Sequence, residues 1–307
     1  MKSDILLSIV VPVFNTIKFI EPTLRSLQEI LKEREDIEII IQDAVSTDGT
    51  TEVIARYVEQ ESCFIHYVEK DGGQSDAINR GTKKARGQWV TWLCADDLLL
   101  PGFSQVLKQL DSTEAGVVYG DCVMLLESGE IVPAFGTETH EPGALARKRL
   151  ILQQPGTCIR RAHWEALQGV DVDLNWVMDY DLFLRLEGMG VAFLRLNEFV
   201  AVARIHSEAK TSSGSFRRVL EHWRMFGRAH GRNLQWVSWK PYALYGIEYI
   251  IKTLEAGNSC KGIVPSLHKA FWFLGRPQEQ QAIQSRLQQQ KEGIHLYIQS
   301  LQEGMRS

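Results

Sequence analysis

The chain has 307 residues, of which 44% are apolar and 23% charged, a balance that excludes a disordered or fibrous protein and fits a globular one with a sizeable core. Lys and Arg number 34 against 38 Asp and Glu, a net charge of −4, so electrostatics gives no case for a nucleic-acid partner. The 5 cysteines, at 63, 94, 122, 158 and 260, contain no CxxC pair, which argues against a zinc site or disulfide framework and for a reducing, cytoplasmic setting.

Ile5–Val13 is apolar and runs through Pro12 straight into Phe14-Asn15, so it reads as a first buried strand rather than the core of a signal peptide. No apolar run reaches the ~20 residues that span a bilayer. Ile17, Ile20, Leu24, Leu27 and Leu31 recur at helical spacing. Ile37–Gln42 is a second buried strand ending at Asp43, and Ser46-Thr47-Asp48-Gly49-Thr50 starts the next helix. Phe64–Val68 is a third strand. The turn Asp71-Gly72-Gly73-Gln74 then leads into a helix from about Ser75 to Ala85, which Gly87 stops. Trp89–Cys94 is the fourth strand and runs into Asp96-Asp97.

The first hundred residues thus alternate strand and helix, which predicts a mostly parallel sheet with helices on both faces. In such sheets ligands lie beyond the carboxyl ends of the strands. Asn15, Asp43 and the pair Asp96-Asp97 stand at those ends. Adjacent carboxylates repel unless a cation neutralises them, and hard oxygen ligands suit Mg²⁺ or Mn²⁺. The bland alternative is that Asp96-Asp97 caps the helix beginning near Pro101. Neither a G-x-G-x-x-G fingerprint nor a Walker A loop follows the first strand, which argues against a dinucleotide or P-loop site.

Beyond Pro101 the alternation loosens. Gly116–Leu126 and Ile131–Phe135 flank Glu127-Ser128-Gly129-Glu130 as a hairpin. Leu145–Leu152 and Arg161–Leu167 read as short helices, Gly156–Ile159 as extended, and Met178–Glu187 as a helix opening with Asp179 and Asp181. Strands are expected near Val191–Leu194 and Val200–Ile205, then a polar loop over His206–Gly214. From Ser215 onward only helices are expected, with Val219, Trp223 and Phe226 as one stripe. The Gln-, Glu- and Lys-rich last segment reads as a solvated helix. The chain divides into a catalytic region over 1–213, with halves about 1–100 and 101–213, and a helical region over 214–307.

Several stretches resemble family 2 glycosyltransferases. They are Val11-Pro12-Val13-Phe14-Asn15, Asp43 with Ser46-Thr47-Asp48-Gly49-Thr50, and Asp71-Gly72-Gly73-Gln74-Ser75-Asp76-Ala77-Ile78-Asn79-Arg80-Gly81. Trp92-Leu93-Cys94-Ala95-Asp96-Asp97 is similar to the family's DxD segment. Gln154-Pro155 with Arg160-Arg161 and Trp164, then Met178–Leu186, resemble its acceptor side, and Arg204-Ile205-His206 with Lys210-Thr211 its closing loop.

The resemblance implies a GT-A fold and inverting transfer of a sugar from a nucleotide donor, UDP by default, with Mn²⁺ or Mg²⁺. It implies Pro12, Phe14, Asn15, Asp43, Asp76, Asp96 and Lys210 at the nucleotide, and Asp97 and His206 at the metal. Trp92, Gln154 and Asp181 fall on the acceptor and sugar side, and the acceptor is a hydroxyl of a glycan or a lipid-linked molecule. Single displacement needs a carboxylate that takes the acceptor's proton, and Asp179 is assigned that role, with Asp181 as runner-up. The bland reading of Asp179 is a helix-dipole charge.

Three positions depart from the family pattern. Cys94 stands where many relatives have an acid, Ala44 replaces a common second Asp, and Met178 replaces an acid before the base. The absence of Q-x-x-R-W and of membrane spans points to a non-processive enzyme. A non-catalytic sugar-nucleotide-binding scaffold and a sugar nucleotidyltransferase are the rival readings. Trp223–Tyr249 reads either as helices covering the flank or, with Arg217, Arg218, Arg224, Arg228 and Arg232 nearby, as a peripheral contact with the inner face of a membrane.

Overall fold

The computed structural model of the chain describes residues 5–134, 138–146, 152–210, 216–230 and 277–303. Strands β1 (Leu7–Val13), β2 (Ile37–Asp43), β3 (Phe64–Val68) and β4 (Trp89–Trp92) alternate with helices α1 (Ile20–Leu31), α2 (Thr50–Gln60) and α3 (Gln74–Lys84). β1 pairs in parallel with β2 and β4, and β2 with β3. Every residue of β1 and β2 is buried, as expected of parallel strands covered on both faces.

Pro12 lies in this central strand at little cost. The Val10 carbonyl accepts from the Leu93 amide at 2.9 Å on the β4 side, and the β1–β4 register ends at Val10 opposite Trp92. Pro12 presents its missing N–H to that same side, one step beyond the ladder. Gly81 lets α3 sit close on β1: a Cβ there would lie 2.4 Å from Val10 Cγ1.

The second half adds β5 (Leu98–Leu99), α4 (Phe103–Leu110), β6 (Val117–Leu126), β7 (Ile131–Pro133), β8 (Cys158–Arg160), α5 (Arg161–Ala166), α6 (Met178–Gly188) and β9 (Phe193–Ile205). The sheet order is β3-β2-β1-β4-β8-β6-β9-β5, with β7 beside β6. All antiparallel pairs involve this second half, while β6 and β9 run parallel. The β6–β7 hairpin is found where expected. The separate strands expected near 191–194 and 200–205 are one strand of 13 residues. A register shift around Asp121 absorbs the irregularity between them within the ladder.

Helix α7 (Phe216–His230) and helix α8 (Pro277–Glu303) complete the described chain. The expectation of a solvated last helix is corrected. Ile283, Leu287, Ile294, Ile298 and Leu301 of α8 are buried against Leu98, Leu100, Val123, Ile131, Phe199 and Val202. Their spacing of three, four and seven is an apolar stripe that the surrounding Gln, Glu and Lys concealed. Buried Asp121 pairs with Arg195 Nη2 at 2.7 Å and with Arg286 of α8, so the helix is pinned electrostatically as well.

On α7, Trp223 is 57% exposed, while Glu221, His222 and Met225 are buried. The side chains of Arg218, Val219 and Phe226, the boundary near 213, most of the Leu145–Leu152 helix and the stretch from 231 to Tyr249, with Arg232, lie outside the described residues.

Candidate active site

The loops after β1 and β2 are fastened to each other. Asn15 adopts φ 51°, a left-handed conformation that asparagine tolerates. Its amide donates to Ser46 Oγ at 2.9 Å and its Oδ1 accepts from the Thr47 amide at 2.9 Å. Asp48 accepts from the Ile17 amide at 3.0 Å and from Thr50 Oγ1 at 2.6 Å. Pro12 is buried beneath, and Phe14 stands 60% exposed above.

Asp43 ends β2 as expected, but its carboxylate turns inward. It is fully buried and accepts from the Ser46 amide (2.9 Å), Ser46 Oγ (2.7 Å) and Thr51 Oγ1 (2.8 Å), with His66 Nε2 at 3.4 Å. Burial opposes the charge, but these donors outweigh it and bring the pKa down to about 2. Both oxygens are engaged by the protein, so Asp43 shapes the turn. That turn holds Val45 at φ 66°, an outlier for a β-branched residue, with its side chain exposed.

Asp76 is similar. It accepts from the Gly72 amide at 2.8 Å and from Arg80 Nε at 2.9 Å, and the Arg80 guanidinium holds its pKa below the usual carboxylate range. It ties the Gly72-Gly73 turn to α3.

The carboxyl end of β4 gathers charge. Asp97 is 8% exposed and accepts from the Arg204 amide at 3.2 Å. Burial, and then the charge of Asp96, push its pKa well up. Arg204 is itself buried. Its Nη2 donates to Phe19 O (2.9 Å) and Thr23 Oγ1 (2.8 Å), and its Nε to the Asp96 carbonyl. Burial draws its pKa down to about 10 despite the opposing charges of Asp97 and Asp96. His206 Nε2 lies 3.0 Å from Asp96 Oδ2, and its ring stacks on Phe19 with centroids 4.1 Å apart.

Among the described residues, Cys94, Asp96 and Asp97 are the cluster whose candidate metal-ligand atoms all lie within 4.8 Å of one another. His206 is outside that cluster. Its Nε2 stands at the edge of those atoms, 3.0 Å from Asp96 Oδ2.

These groups face a cleft of about 290 Å³. Asp96, Asp97, Cys94, Arg204, Gln74 and Lys210 line one part of it. Trp92, Gln153, Gln154, Asn175, Trp176, Met178 and Asp179 line the rest. Gln154 Nε2 donates to the Trp92 carbonyl at 2.5 Å, fixing the wall below β4. Asp179 enters at the first turn of α6, where its Oδ1 accepts the Tyr180 amide at 2.8 Å. Ser75 Oγ is 3.0 Å from Met178 Sδ, which holds the start of α6 against α3.

Asp181, expected on the acceptor side, is corrected. It is 3% exposed, does not line the cleft, and pairs with Arg185 Nε at 2.7 Å. At two residues from Asp179 it falls on the opposite side of the helix. Arg185 in turn donates to the Leu167 and Gly169 carbonyls, so the pair is structural.

A comparison with known families decides the class. The profile described as "Glycosyl transferase family 2" matches residues 8–129. This region is a family 2 glycosyltransferase domain. A curated relative, the GalNAc(5)-diNAcBac-PP-undecaprenol beta-1,3-glucosyltransferase of Campylobacter jejuni, is 26% identical over 148 residues, 48% of this chain and 47% of that protein. The chain spans 35% to 47% of the length of the first curated relatives it matches.

Among solved structures, S. aureus TarS 1–349 in complex with UDP-GlcNAc superposes with a TM-score of 0.61 at 17% identity, covering 82% of this chain and 73% of that one. The mannosyltransferase PcManGT from Pyrobaculum calidifontis, in complex with GDP-Man and Mn²⁺, gives 0.57 at 18% identity, covering 96% and 85%. These likenesses establish the GT-A fold.

Within the family 2 glycosyltransferase domain and the strands that follow it, the structure brings Trp92, Asp96, Asp97, Gln154, Asp179 and Lys210 to one cleft. It leaves Pro12, Phe14, Asn15, Asp43 and Asp76 outside the cleft's lining, at the neighbouring strand ends. Sequence reasoning assigned no site role to Arg204, Gln74, Asn175 or Trp176. Arg204 carried a signal: an arginine near the end of the apolar run Val200–Ile205 must find buried partners. Asn175 and Trp176 carried none, because their place depends on Glu221 of α7, which accepts both of their amides at 2.9 and 2.8 Å.

Proposed function

We propose that the protein is an inverting, non-processive glycosyltransferase that moves a sugar from a nucleoside-diphosphate donor to a hydroxyl. The observation that carries this reading is that Asp179 and the pair Asp96–Asp97 open onto the same cleft from different elements. A base for the acceptor and a cation site to neutralise the leaving diphosphate are what a single displacement requires.

In this reading the nucleoside rests beyond β1 and β2, against exposed Phe14 and Val45, on the turn that Asp43, Asn15 and Ser46 hold rigid. Pro12 supports that platform, and Asp76 keeps the Gly72-Gly73 turn in place beside it. Asp96, oriented by His206, faces the ribose and diphosphate, and Lys210 reaches the phosphates from the loop after β9. Asp179 accepts the acceptor's proton. Trp92 and Gln154 form the floor on which sugar and acceptor meet.

The residues fit a divalent cation. The carboxylates of Asp96 and Asp97 converge with the sulphur of Cys94, their candidate ligand atoms all within 4.8 Å of one another. Asp96 and Asp97 would hold Mn²⁺ or Mg²⁺, which supplies neutralisation of the charge that grows on the diphosphate.

UDP as the donor nucleotide and a lipid-linked glycan as the acceptor are supported by the names of TarS with UDP-GlcNAc and of the Campylobacter enzyme. No described helix is long and apolar enough to cross a membrane. We place the protein in the cytoplasm, with peripheral membrane contact through the face of α7 that exposes Leu220, Trp223, Arg217 and Arg224.

The direct test is a donor screen with UDP-, GDP- and dTDP-sugars in Mn²⁺, following release of the nucleoside diphosphate. Turnover of at least one sugar nucleotide is expected. Binding of a donor without any turnover, across acceptors that include lipid-linked glycans, would favour the scaffold reading.

A further inference from the structure

Cys94 lines the cleft beside Asp96 and Asp97, and its neighbours fix how its sulphur is used. Lys210 Nζ lies 3.0 Å from Gln74 Oε1. An ammonium only donates, so the amide oxygen must face Lys210 and the amide nitrogen must face the other way. That nitrogen, Gln74 Nε2, donates to Cys94 Sγ at 3.2 Å. The sulphur therefore accepts an N–H bond from α3, while its thiol donates to the Asp97 carboxylate. An N–H donor to sulphur is the arrangement that orients and stabilises an anionic sulphur ligand on a metal.

Burial, then the charges of Asp97 and Asp96, push the Cys94 thiol up, and Lys210 opposes them. The other described cysteines are unlike it. Cys63 is half-buried and Cys122 and Cys158 are buried, and none of them joins a group of candidate ligands. Cys122 donates instead to the Pro155 carbonyl at 3.2 Å.

We infer that Cys94 is a third protein ligand of the cation site, with the carboxylates of Asp96 and Asp97, and that its sulphur turns the site's preference from Mg²⁺ toward Mn²⁺ and softer divalent cations. As the sulphur–metal bond forms, the thiol proton leaves to solvent and the electron pair stays on sulphur, so no oxidant or reductant is involved. Mg²⁺ demands near-octahedral oxygen coordination, whereas a thiolate selects softer ions. The carboxylates keep a borderline ion such as Mn²⁺ acceptable. The inference rests on the transferase reading for its place in catalysis, but the site itself stands on the cluster's geometry.

The test is a Cd²⁺ titration of the full chain, with and without UDP, following the ultraviolet sulphur-to-cadmium charge-transfer absorption. A band that saturates at one Cd²⁺ per chain is expected, absent in Cys94→Ser, resistant to excess Mg²⁺ and competed by Mn²⁺. Gln74→Ala should weaken Cd²⁺ binding by roughly 10–100-fold through loss of the sulphur's hydrogen-bond partner. Cadmium-113 NMR of the wild-type protein reads the same question without a variant, since a sulphur ligand moves the resonance far from the all-oxygen range.

An unchanged band in Cys94→Ser, or an all-oxygen resonance in the wild type, overturns the inference. A Cys94-dependent band in a protein that turns over no sugar nucleotide upholds the site and removes the transferase reading. Turnover with no such band removes only the sulphur ligand.

Discussion

The Asp97 carboxylate accepts the backbone amide of Arg204 at 3.2 Å, while the Arg204 guanidinium reaches past it to the carbonyls of Asp96 and Phe19. An element 107 residues later in the chain thus closes the carboxyl end of β4. The pairing of Leu98 with Val202 sets this register, because it carries β9 alongside the acidic pair.

Replacing Arg204 by Ala should therefore damage more than ligand binding. It leaves the Asp96 and Phe19 carbonyls and the buried Thr23 Oγ1 without their guanidinium donor. Each buried polar group left without its hydrogen-bond partner costs about 1–3 kcal/mol. Urea denaturation of Arg204→Ala beside the wild type is the check, and a loss below about 1 kcal/mol, the scale of an exposed pair, would contradict it.

Asp43 predicts a pH dependence of stability. Its folded pKa of about 2 lies below the ordinary value of 3.8. A depressed carboxylate contributes stability that is fully present above the unfolded pKa and is lost as pH falls through the folded one. The difference corresponds to about 2 kcal/mol. Urea midpoints compared between wild type and Asp43→Asn should show the largest gap near neutral pH. The gap should narrow between about pH 4 and about pH 2, the window set by those two pKa values. A gap that widens on acidification contradicts the assignment.

Helix α8 predicts a stability effect far in sequence from the site. Ile298→Ala should cost about 2–5 kcal/mol, because its side chain fills the layer between α8 and β5–β9. Thermal unfolding checks this directly. A change smaller than about 0.5 kcal/mol would mean that α8 is solvated after all.

Much of the fold was legible because the first hundred residues obey simple periods. Strands as long as Leu7–Val13 and Ile37–Asp43 announce themselves as apolar runs. Leu98-Leu99 is too short to do so, and it becomes β5 only because β9 pairs with it. The α8 stripe was hidden by composition, since a helix rich in Gln still buries the apolar residues that face the sheet.

At the site, Asp96, Asp97 and Asp179 were legible because a strand end and a helix start place them without reference to distant chain. The hydrogen-bond partners of Asp43, Asp76 and Asp181 were not, because they depend on which donors the turn or helix brings to each carboxylate. Cys94 read as a missing acid in sequence. Only Gln74 and Lys210, brought in from α3 and from the loop after β9, show its sulphur as an acceptor facing the acidic pair.

The central claim is that Asp179 takes the acceptor's proton in a cleft it shares with the diphosphate site. The decisive measurement is the turnover of Asp179→Asn with the donor found in the screen, with donor affinity measured in parallel by calorimetry. Turnover should fall by about 10²–10⁴-fold, the usual contribution of a general base, while donor affinity stays close to that of the wild type. Near-wild-type turnover by Asp179→Asn would contradict the account.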